Sequence, residues 1–351
     1  MRRRSILAAA SAAAAAPFLV RPTLAQEARI TGGGAVSPRQ AYDKWAQLAQ
    51  GALNVQMSYQ GSNSNTGADQ VVARQVDFAG TDHPKRPGML REQHLIQFPS
   101  VLNAFVPVVN LPGVGANQLR LTGDLLADLF LGKITNWNDK RLAAENAGVR
   151  LPDMPVVPVH RADPAGPTYY FTTYLTRVSD AWAQGPRASN KVQFPAGQSA
   201  TADGGLIEKV KGTPGAIGYT GAPNAKAAQL ATVSLNNRAG EFVAPDAASF
   251  AKAAEAGDWS SPGFVVEMID LDAAGAWPMV TPTFILMPSN PLAEKVAASR
   301  NTMRFFDWVF RNAGGPTAEL GFVPLPAALL APIQETWRRV KGPDGQPVWE
   351  A

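Results

Sequence analysis

The sequence contains no cysteine among its 351 residues and only three histidines. Without cysteine the chain forms no disulfide bond and carries no lipoprotein-type anchor, so we expect an exported form to be soluble. His83, His94 and His160 lie far apart in the sequence and show no metal-ligand spacing. We therefore expect no metal site and no cofactor.

The chain also lacks a charge excess once its first residues are set aside. It has 32 Lys and Arg against 28 Asp and Glu, but four of the arginines lie within residues 1–25. The remaining 28 basic residues balance the 28 acidic ones. A nearly neutral chain offers no basic face to a nucleic acid or to an anionic membrane, so we expect neither partner and no direct membrane anchor.

Residues 1–25 have the organisation of an export signal. A basic start precedes an alanine-rich apolar stretch that Pro17 interrupts, and residues 23–25 suit cleavage before Gln26. The paired arginines near the start resemble a twin-arginine signal, while the general secretory route stays open. We expect residues 1–25 to be removed on export.

The order strand, small polar turn, helix occurs twice after the signal. Alternating apolar residues over 53–59 predict a strand that leads into GSNSNTG (61–67) and a helix, and MPVVPVH, RADPAGP and TYYFTTYL repeat this order over 154–175. Apolar runs over 104–109 and 283–287 predict buried strands. Such alternation in a chain of this length favours two α/β lobes.

The turns between these strands and helices carry polar groups where open α/β sheets bind ligands. Ser64 lies beside a predicted helix start, where Gly67 would let the backbone approach a bound group. Arg161 and Asp163 precede another helix, and Asp82 follows a short apolar strand. A plain N-cap, a surface ion pair and a turn residue are the ordinary interpretations. Taken together, the turns resemble one anion site shared between two lobes.

Two further patterns concern serines near these turns. Ser37 and Pro38 predict a helix start with serine as the N-cap, and Ala41 and Trp45 then recur on one face. Ser64, Asp82 and His83 form the single candidate set of nucleophile and base, and nothing in their spacing supports catalysis. We expect the protein not to be an enzyme.

Eight segments occur in the order and spacing of the periplasmic phosphate-binding proteins of Pst-type ABC importers: ITGGGAVSPRQAYDKW, YQGSNSNTG, VDFAGTDHP, LGKITNWND, HRADPAGPTYYFTTYL, GTPGAIGY, AWPMVTPTFILM and MRFFDWVF. The chain resembles this family over nearly all of its mature length. The resemblance implies an α/β, type II, two-lobed periplasmic binding protein, each lobe a mixed sheet flanked by helices, joined by two hinge strands. It places lobe I at 26–106 plus 283–351 and lobe II at 107–282, with the ligand cleft between them.

The resemblance also implies a function and a site. The chain would capture phosphate or a related oxyanion in the periplasm, as a monomer, and deliver it to the permease and ATPase subunits of an ABC importer. The family's hydroxyl donor, proton acceptor, guanidinium, backbone donor and arginine-holding carboxylate fall on Ser64, Asp82, Arg161, Gly166 and Asp163.

The family pattern is broken at Val36, Ala165 and Pro167, where the family has a threonine, a serine and a second threonine. Three hydroxyls and one backbone N–H are lost. A hydrogen bond to a charged group contributes roughly 1.5 to 3 kcal/mol, so these losses should weaken phosphate binding about a thousandfold unless other donors replace them. The candidates are Ser37, Asn65, Thr66, Thr168 and His160. The alternatives are a phosphonate, phosphate ester or other oxyanion as ligand, or a degenerate, non-binding or sensory homologue.

Overall fold

The computed structural model describes residues 28–350, so the predicted signal over 1–25 lies outside the described residues. The strands are β1 (Ala28–Gly34), β2 (Val55–Gly61), β3 (Phe78–Thr81), β4 (Leu95–Asn110), β5 (Arg120–Leu121), β6 (Val157–Arg161), β7 (Gln198–Ala200), β8 (Ala216–Gly221), β9 (Ala231–Thr232), β10 (Ser234–Asn236), β11 (Phe242–Val243) and β12 (Val280–Pro288). The helices are α1 (Arg39–Leu53), α2 (Ser64–Val72), α3 (Pro87–Glu92), α4 (Gly123–Phe130), α5 (Lys140–Glu145), α6 (Gly166–Val178), α7 (Asp180–Gln184), α8 (Ala202–Gly212), α9 (Ala222–Ala227), α10 (Ala247–Ala256), α11 (Val296–Asn312), α12 (Gly314–Glu319) and α13 (Leu330–Trp337). No helix within residues 28–350 is both long and apolar enough to cross a membrane.

A nine-stranded mixed sheet runs through the molecule in the order β2-β1-β3-β12-β4-β8-β6-β7, with β9 also paired to β4. β1 is parallel to β2 and β3, whereas β12 is antiparallel to both β3 and β4. β4 is antiparallel to β8, which is parallel to β6. A second sheet of three strands has the order β11-β10-β5.

The 16-residue strand β4 belongs to both halves of the large sheet. Its residues from Leu95 to Ala104 pair with β12, and those from Phe105 to Asn110 pair with β8. Almost all of its side chains are buried, because the apolar run is covered on both faces. The change of partner after Ala104 divides the sheet into two.

Two large apolar cores lie on the two sides of this change of partner. One core draws on residues 30–101 and 284–349 together with Phe264. The other draws on residues 102–280 together with Val323. The chain begins one lobe, builds the other and returns, which confirms the predicted two-lobed α/β class and the buried strands over 104–109 and 283–287.

Some local predictions are wrong. Helix α1 begins at Arg39 with Pro38 at the N-cap position and no capping side chain, so Ser37 does not cap it. Leu53 ends α1 instead of starting a strand, because Asn54 takes the left-handed conformation that terminates helices (φ 52°).

Helix α2 starts at Ser64, inside the stretch predicted as a turn, because the Asn63 side chain accepts a hydrogen bond from the Thr66 N–H at 2.9 Å. Gly67 lets this helix approach β1. A Cβ at Gly67 would lie 2.4 Å from the Cα of Gly34. The helix therefore packs closely on the end of β1.

Candidate functional site

The predicted site residues lie where parallel strands end. Ser37 follows β1, Ser64 follows β2 and Asp82 follows β3, while Arg161 ends β6 and Gly166 begins α6. The carboxyl ends of parallel strands meet at one edge of a sheet, which is where open α/β sheets bind ligands. The site therefore has two halves, one around Asp82 and one around Arg161.

Three hydroxyl groups surround Asp82. Ser37 Oγ donates to the carboxylate and lies 2.7 Å from both oxygens. Thr283 Oγ1 donates to Asp82 Oδ1 at 2.6 Å. The backbone N–H of Asp82 donates to Ser64 Oγ at 3.1 Å. Because Ser64 Oγ accepts here, its own proton is left to donate to a bound anion.

The surroundings of Asp82 have two opposing effects on its pKa. Burial raises the pKa of Asp82 above its ordinary value. The hydrogen bonds from Thr283 and Ser37, and the charge of His83, lower this pKa but do not cancel the effect of burial. The ionised form that accepts a ligand proton therefore depends on these donors.

Arg161 is 8% exposed at the end of β6. Its Nε donates to Asp163 Oδ1 at 2.8 Å, and its Nη2 donates to Asp163 Oδ2. Its Nη1 donates to Asp203 Oδ1 at 2.6 Å. A guanidinium has five N–H groups, so one on each terminal nitrogen stays available for an anion. Asp163 thus holds the arginine, and Asp203 is a second carboxylate that does so.

These contacts shift the pKa values of all three groups. The hydrogen bond from Arg161 lowers the pKa of Asp163 to about 2. Burial raises the pKa of Asp203, against the opposing effect of Arg161. Burial alone would lower the pKa of Arg161, but its two carboxylate partners outweigh that effect and raise it. With both acids ionised the cluster is net negative, so directed N–H donors, not net charge, must attract an anion here.

Helix α6 begins five residues after Arg161, at Gly166. Ala165 is the N-cap residue, and its N–H donates to Asn190 O at 2.9 Å. Pro167 has no N–H, so Gly166 and Thr168 supply the first-turn donors. The helix nevertheless continues to Val178, as predicted for a proline in the first turn.

The side chains considered as replacement donors have protein partners or face solvent. Asn65 is exposed. The others pair as follows: Ser37 with Asp82, Thr66 with Asn63 at 2.8 Å, Thr168 with Tyr219 at 2.8 Å, and the His160 ring with the Phe194 ring at 4.4 Å between centroids. Ser37 donates to Asp82, whereas Thr66 Oγ1 accepts from Asn63 and so keeps its own proton.

The apolar residues Val36 and Ala165 differ in their exposure to solvent. Val36 is 56% exposed, which is high for a valine, and precedes Ser37 in the loop after β1. Ala165 is 9% exposed beneath the start of α6.

Ser64, Asp82 and His83 do not form a catalytic arrangement. Ser64 Oγ is bound to the backbone of Asp82, and the His83 ring packs edge-on against Tyr169 at 5.9 Å between centroids. Within residues 28–350, no three His, Asp or Glu side chains come together as metal ligands.

Three residues around the site were missed from the sequence: Thr283, Asp203 and Tyr170. Thr283 is one of two threonines in the largely apolar strand β12, which was the available signal. Asp203 lies in the first turn of α8, which follows β7 in a third succession of strand, turn and helix like those that marked the other turns. Tyr170 Oη donates to the Asp82 backbone oxygen at 2.7 Å, and nothing in the local pattern indicates this contact.

The sequence model of the PBP superfamily domain matches residues 10–313. The chain is 38% identical over 327 residues to the phosphate-binding protein PstS of Pasteurella multocida, covering 93% of this chain and 94% of that protein. The chain belongs to the PstS family of phosphate-binding proteins. Another PstS, from Methanocaldococcus jannaschii, is 31% identical over 319 residues and covers 84% of this chain and 81% of its own.

Solved structures show the same fold as this PstS-family chain. The periplasmic phosphate-binding protein PfluDING, solved with bound phosphate, aligns with a TM-score of 0.64 at 21% identity, covering 88% of this chain and 93% of that one. The phosphate-binding protein of Stenotrophomonas maltophilia aligns with a TM-score of 0.63 at 20% identity and the same two coverages. At this level of identity the likeness concerns the fold alone.

Proposed function

We propose that this protein is a periplasmic solute-binding protein that captures inorganic phosphate and delivers it to the permease and ATPase subunits of an ABC importer. One observation carries the proposal: a guanidinium with two uncommitted N–H groups, at Arg161, and a carboxylate acceptor, at Asp82, end strands of opposite lobes. Protonated phosphate offers oxygens to the first and a hydroxyl to the second. Sulfate lacks the hydroxyl and leaves the carboxylate facing an anion.

The relatives support this ligand through their names and their coverage. PstS proteins are named for binding phosphate, and the Pasteurella multocida protein aligns along almost its full length. We further propose that residues 1–25 are an export signal, that lobe I comprises 26–106 plus 283–351, that lobe II comprises 107–282, and that the mature protein works as a monomer in the periplasm.

A phosphonate or a phosphate ester is the second candidate ligand. The apolar surface of Val36 and Pro167 favours it, because in such ligands a carbon or an ester oxygen replaces one phosphate oxygen. The altered positions would then contact the substituent while Arg161 and Asp82 hold the remaining oxygens.

Calorimetric titration of ligand-stripped protein with phosphate, methylphosphonate, arsenate and sulfate distinguishes these ligands. We expect phosphate binding without sulfate binding, and tighter phosphate binding in the variant Val36→Thr, Ala165→Ser, Pro167→Thr. A preference for methylphosphonate would support the second candidate. Submicromolar phosphate binding that the triple variant leaves unchanged would contradict a weakened site, and no binding of any oxyanion would indicate a degenerate homologue.

We also propose that the protein is not an enzyme. The relatives are named as binding proteins, and the one hydrogen bond of Ser64 Oγ among the described residues is accepted from the Asp82 N–H, not donated to a base. Metal-free protein incubated with an aryl phosphate should release no inorganic phosphate. Release above the background rate that depends on Ser64 would overturn this part of the proposal.

A further inference from the structure

A buried chain of hydrogen bonds reaches Asp82 from the junction of the lobes. Asn103 Nδ2, on β4, donates to Thr283 Oγ1, on β12, at 2.9 Å. Thr283 Oγ1 donates to Asp82 Oδ1 at 2.6 Å. Thr283 is fully buried and Asn103 is 4% exposed. Thr283 of β12 therefore contacts the acceptor of the site directly, and Asn103 of the shared strand β4 contacts it through Thr283.

The donors along this chain all point toward Asp82. The amide nitrogen of Asn103 only donates, so the Thr283 oxygen accepts from it and turns its single proton toward Asp82 Oδ1. A proton on Oδ1 would then face the proton of Thr283. Oδ1 is thus kept as an acceptor, and a ligand hydroxyl is left to meet Oδ2, which otherwise accepts from Ser37.

The backbone around Thr283 is built to hold this orientation. The pairing of β12 with β4 shifts register between Thr283 and Phe284, and such an irregularity re-aims the neighbouring side chain. The carbonyl of Thr283 accepts from Ser100 Oγ at 3.0 Å, and Ser100 Oγ in turn lies 2.6 Å from Tyr42 Oη. Its side chain and its carbonyl are therefore both fixed by buried partners.

We propose that Thr283 is a specificity-determining positioning residue: its hydroxyl, oriented by Asn103, keeps Asp82 an acceptor, so that the site takes an oxyanion that carries a proton and rejects one that does not. This inference rests on the proposed function, because it concerns how the same site selects its ligand.

Loss of the Thr283 hydroxyl changes what Asp82 can offer a ligand. Burial raises the pKa of Asp82 and the hydrogen bond from Thr283 is the largest effect that lowers it. The titratable groups that face Asp82 are His83 and the phenols of Tyr42, Tyr59 and Tyr170. Without Thr283, Asp82 binds a proton at higher pH, and a protonated carboxyl donates to sulfate.

The test compares Thr283→Val, which keeps the shape, with Thr283→Ser, which keeps the hydroxyl. Phosphate and sulfate are titrated calorimetrically into each protein from about pH 5 to pH 8. In Thr283→Val we expect phosphate to bind about tenfold more weakly near neutral pH, as for a lost hydrogen bond to a charged group. As the pH is lowered, sulfate binding should appear at a higher pH in Thr283→Val than in the unmodified protein. Thr283→Ser should behave as the unmodified protein does.

An unchanged ratio of phosphate to sulfate affinity with an unchanged pH profile in Thr283→Val would overturn the inference. If circular dichroism shows that this variant does not fold, Asn103→Leu decides by the same ratio, because it removes only the orienting donor. If the unmodified protein binds methylphosphonate instead of phosphate, the proposed ligand is wrong, and the ratio of methylphosphonate to sulfate tests Thr283. A protein that binds none of these anions overturns both proposals.

Discussion

Tyr170 Oη donates a hydrogen bond of 2.7 Å to the backbone oxygen of Asp82, and this contact joins the two halves of the site. Tyr170 lies one turn into α6, while Asp82 follows β3. The Tyr170 ring also stacks on Phe105 of β4 at 5.2 Å between centroids. The helix that offers N–H donors at its start therefore also touches the loop that carries the carboxylate acceptor.

Removing this hydroxyl should speed ligand release. In Tyr170→Phe we expect phosphate to bind about three- to tenfold more weakly, the value of one neutral hydrogen bond, mostly through faster dissociation measured by stopped-flow fluorescence. Tyr174→Phe on the same helix is the matched control, because Tyr174 Oη is buried without a hydrogen-bond partner among the described residues. Equal effects of the two changes would argue against a role for the Tyr170 contact.

Replacing the acceptor should relax the exclusion of sulfate. In Asp82→Asn the amide oxygen accepts from Thr283 and the amide nitrogen donates toward the ligand, so sulfate affinity should rise by about tenfold or more. Calorimetry with sulfate and phosphate measures the change. Sulfate binding by the unmodified protein as tight as its phosphate binding would show that Asp82 does not discriminate.

The ion pair of Arg161 with Asp163 should stabilise the fold only above acid pH. The folded pKa of Asp163 is about 2, below its ordinary 3.8, so the stabilisation is complete above the ordinary value and is lost as pH falls toward 2. Because the Asp163 side chain is 33% exposed, we expect less than about 2 kcal/mol.

Urea unfolding of Asp163→Asn from neutral to acid pH measures this contribution. The difference in unfolding free energy from the unmodified protein should shrink as pH falls through that window. Asp43→Asn removes a surface carboxylate paired with Arg39 and should change stability by less than about 0.5 kcal/mol. A pH-independent cost in Asp163→Asn would contradict the assignment.

A serine at position 165 should stabilise α6. Ala165 is an extended N-cap residue whose side chain makes no capping hydrogen bond (φ −146°, ψ 143°). In Ala165→Ser the hydroxyl oxygen can accept from a first-turn N–H, and we expect the free energy of unfolding to rise by about 1 kcal/mol. Val36→Thr, which lies outside an N-cap, should leave it unchanged. Denaturant titration that finds no gain at position 165 would show that the cap does not form.

Ligand should close the two lobes over the site. Since Arg161 and Asp82 come from opposite lobes, a bound anion draws them together, and small-angle scattering should give a smaller radius of gyration at saturating phosphate. Arg161→Gln should show no such decrease. An unchanged radius in the unmodified protein would argue against a hinge.

The sequence predicted the elements whose signals are local. The apolar run over 104–109 and the strand, turn and helix around Arg161 both lie where expected, because neighbouring residues determine them. Ser37 misled the helix prediction, because its hydroxyl binds Asp82, 45 residues away, instead of capping α1.

The remaining parts of the site depend on long-range packing. Thr283 meets Asp82 across 201 residues, and Asp203 meets Arg161 across 42. Both contacts arise only when distant strands enter one sheet, and a single sequence carries no pattern that pairs these residues. The hydrogen bond from the Asp82 N–H to Ser64 Oγ could not be predicted from the sequence either, although both residues were expected in the site.

The shared strand β4 also determines the order in which the two lobes can fold while the chain is being synthesised. Its first part needs β12, which begins at Val280, whereas its second part needs β8, which ends at Gly221. A growing chain can therefore complete the core built from 102–280 while the first 100 residues still lack their final strand and helices. The N-terminal segment, synthesised first, is the last to be finished, so a chain that stops before β12 leaves half of the anion site without a folded support.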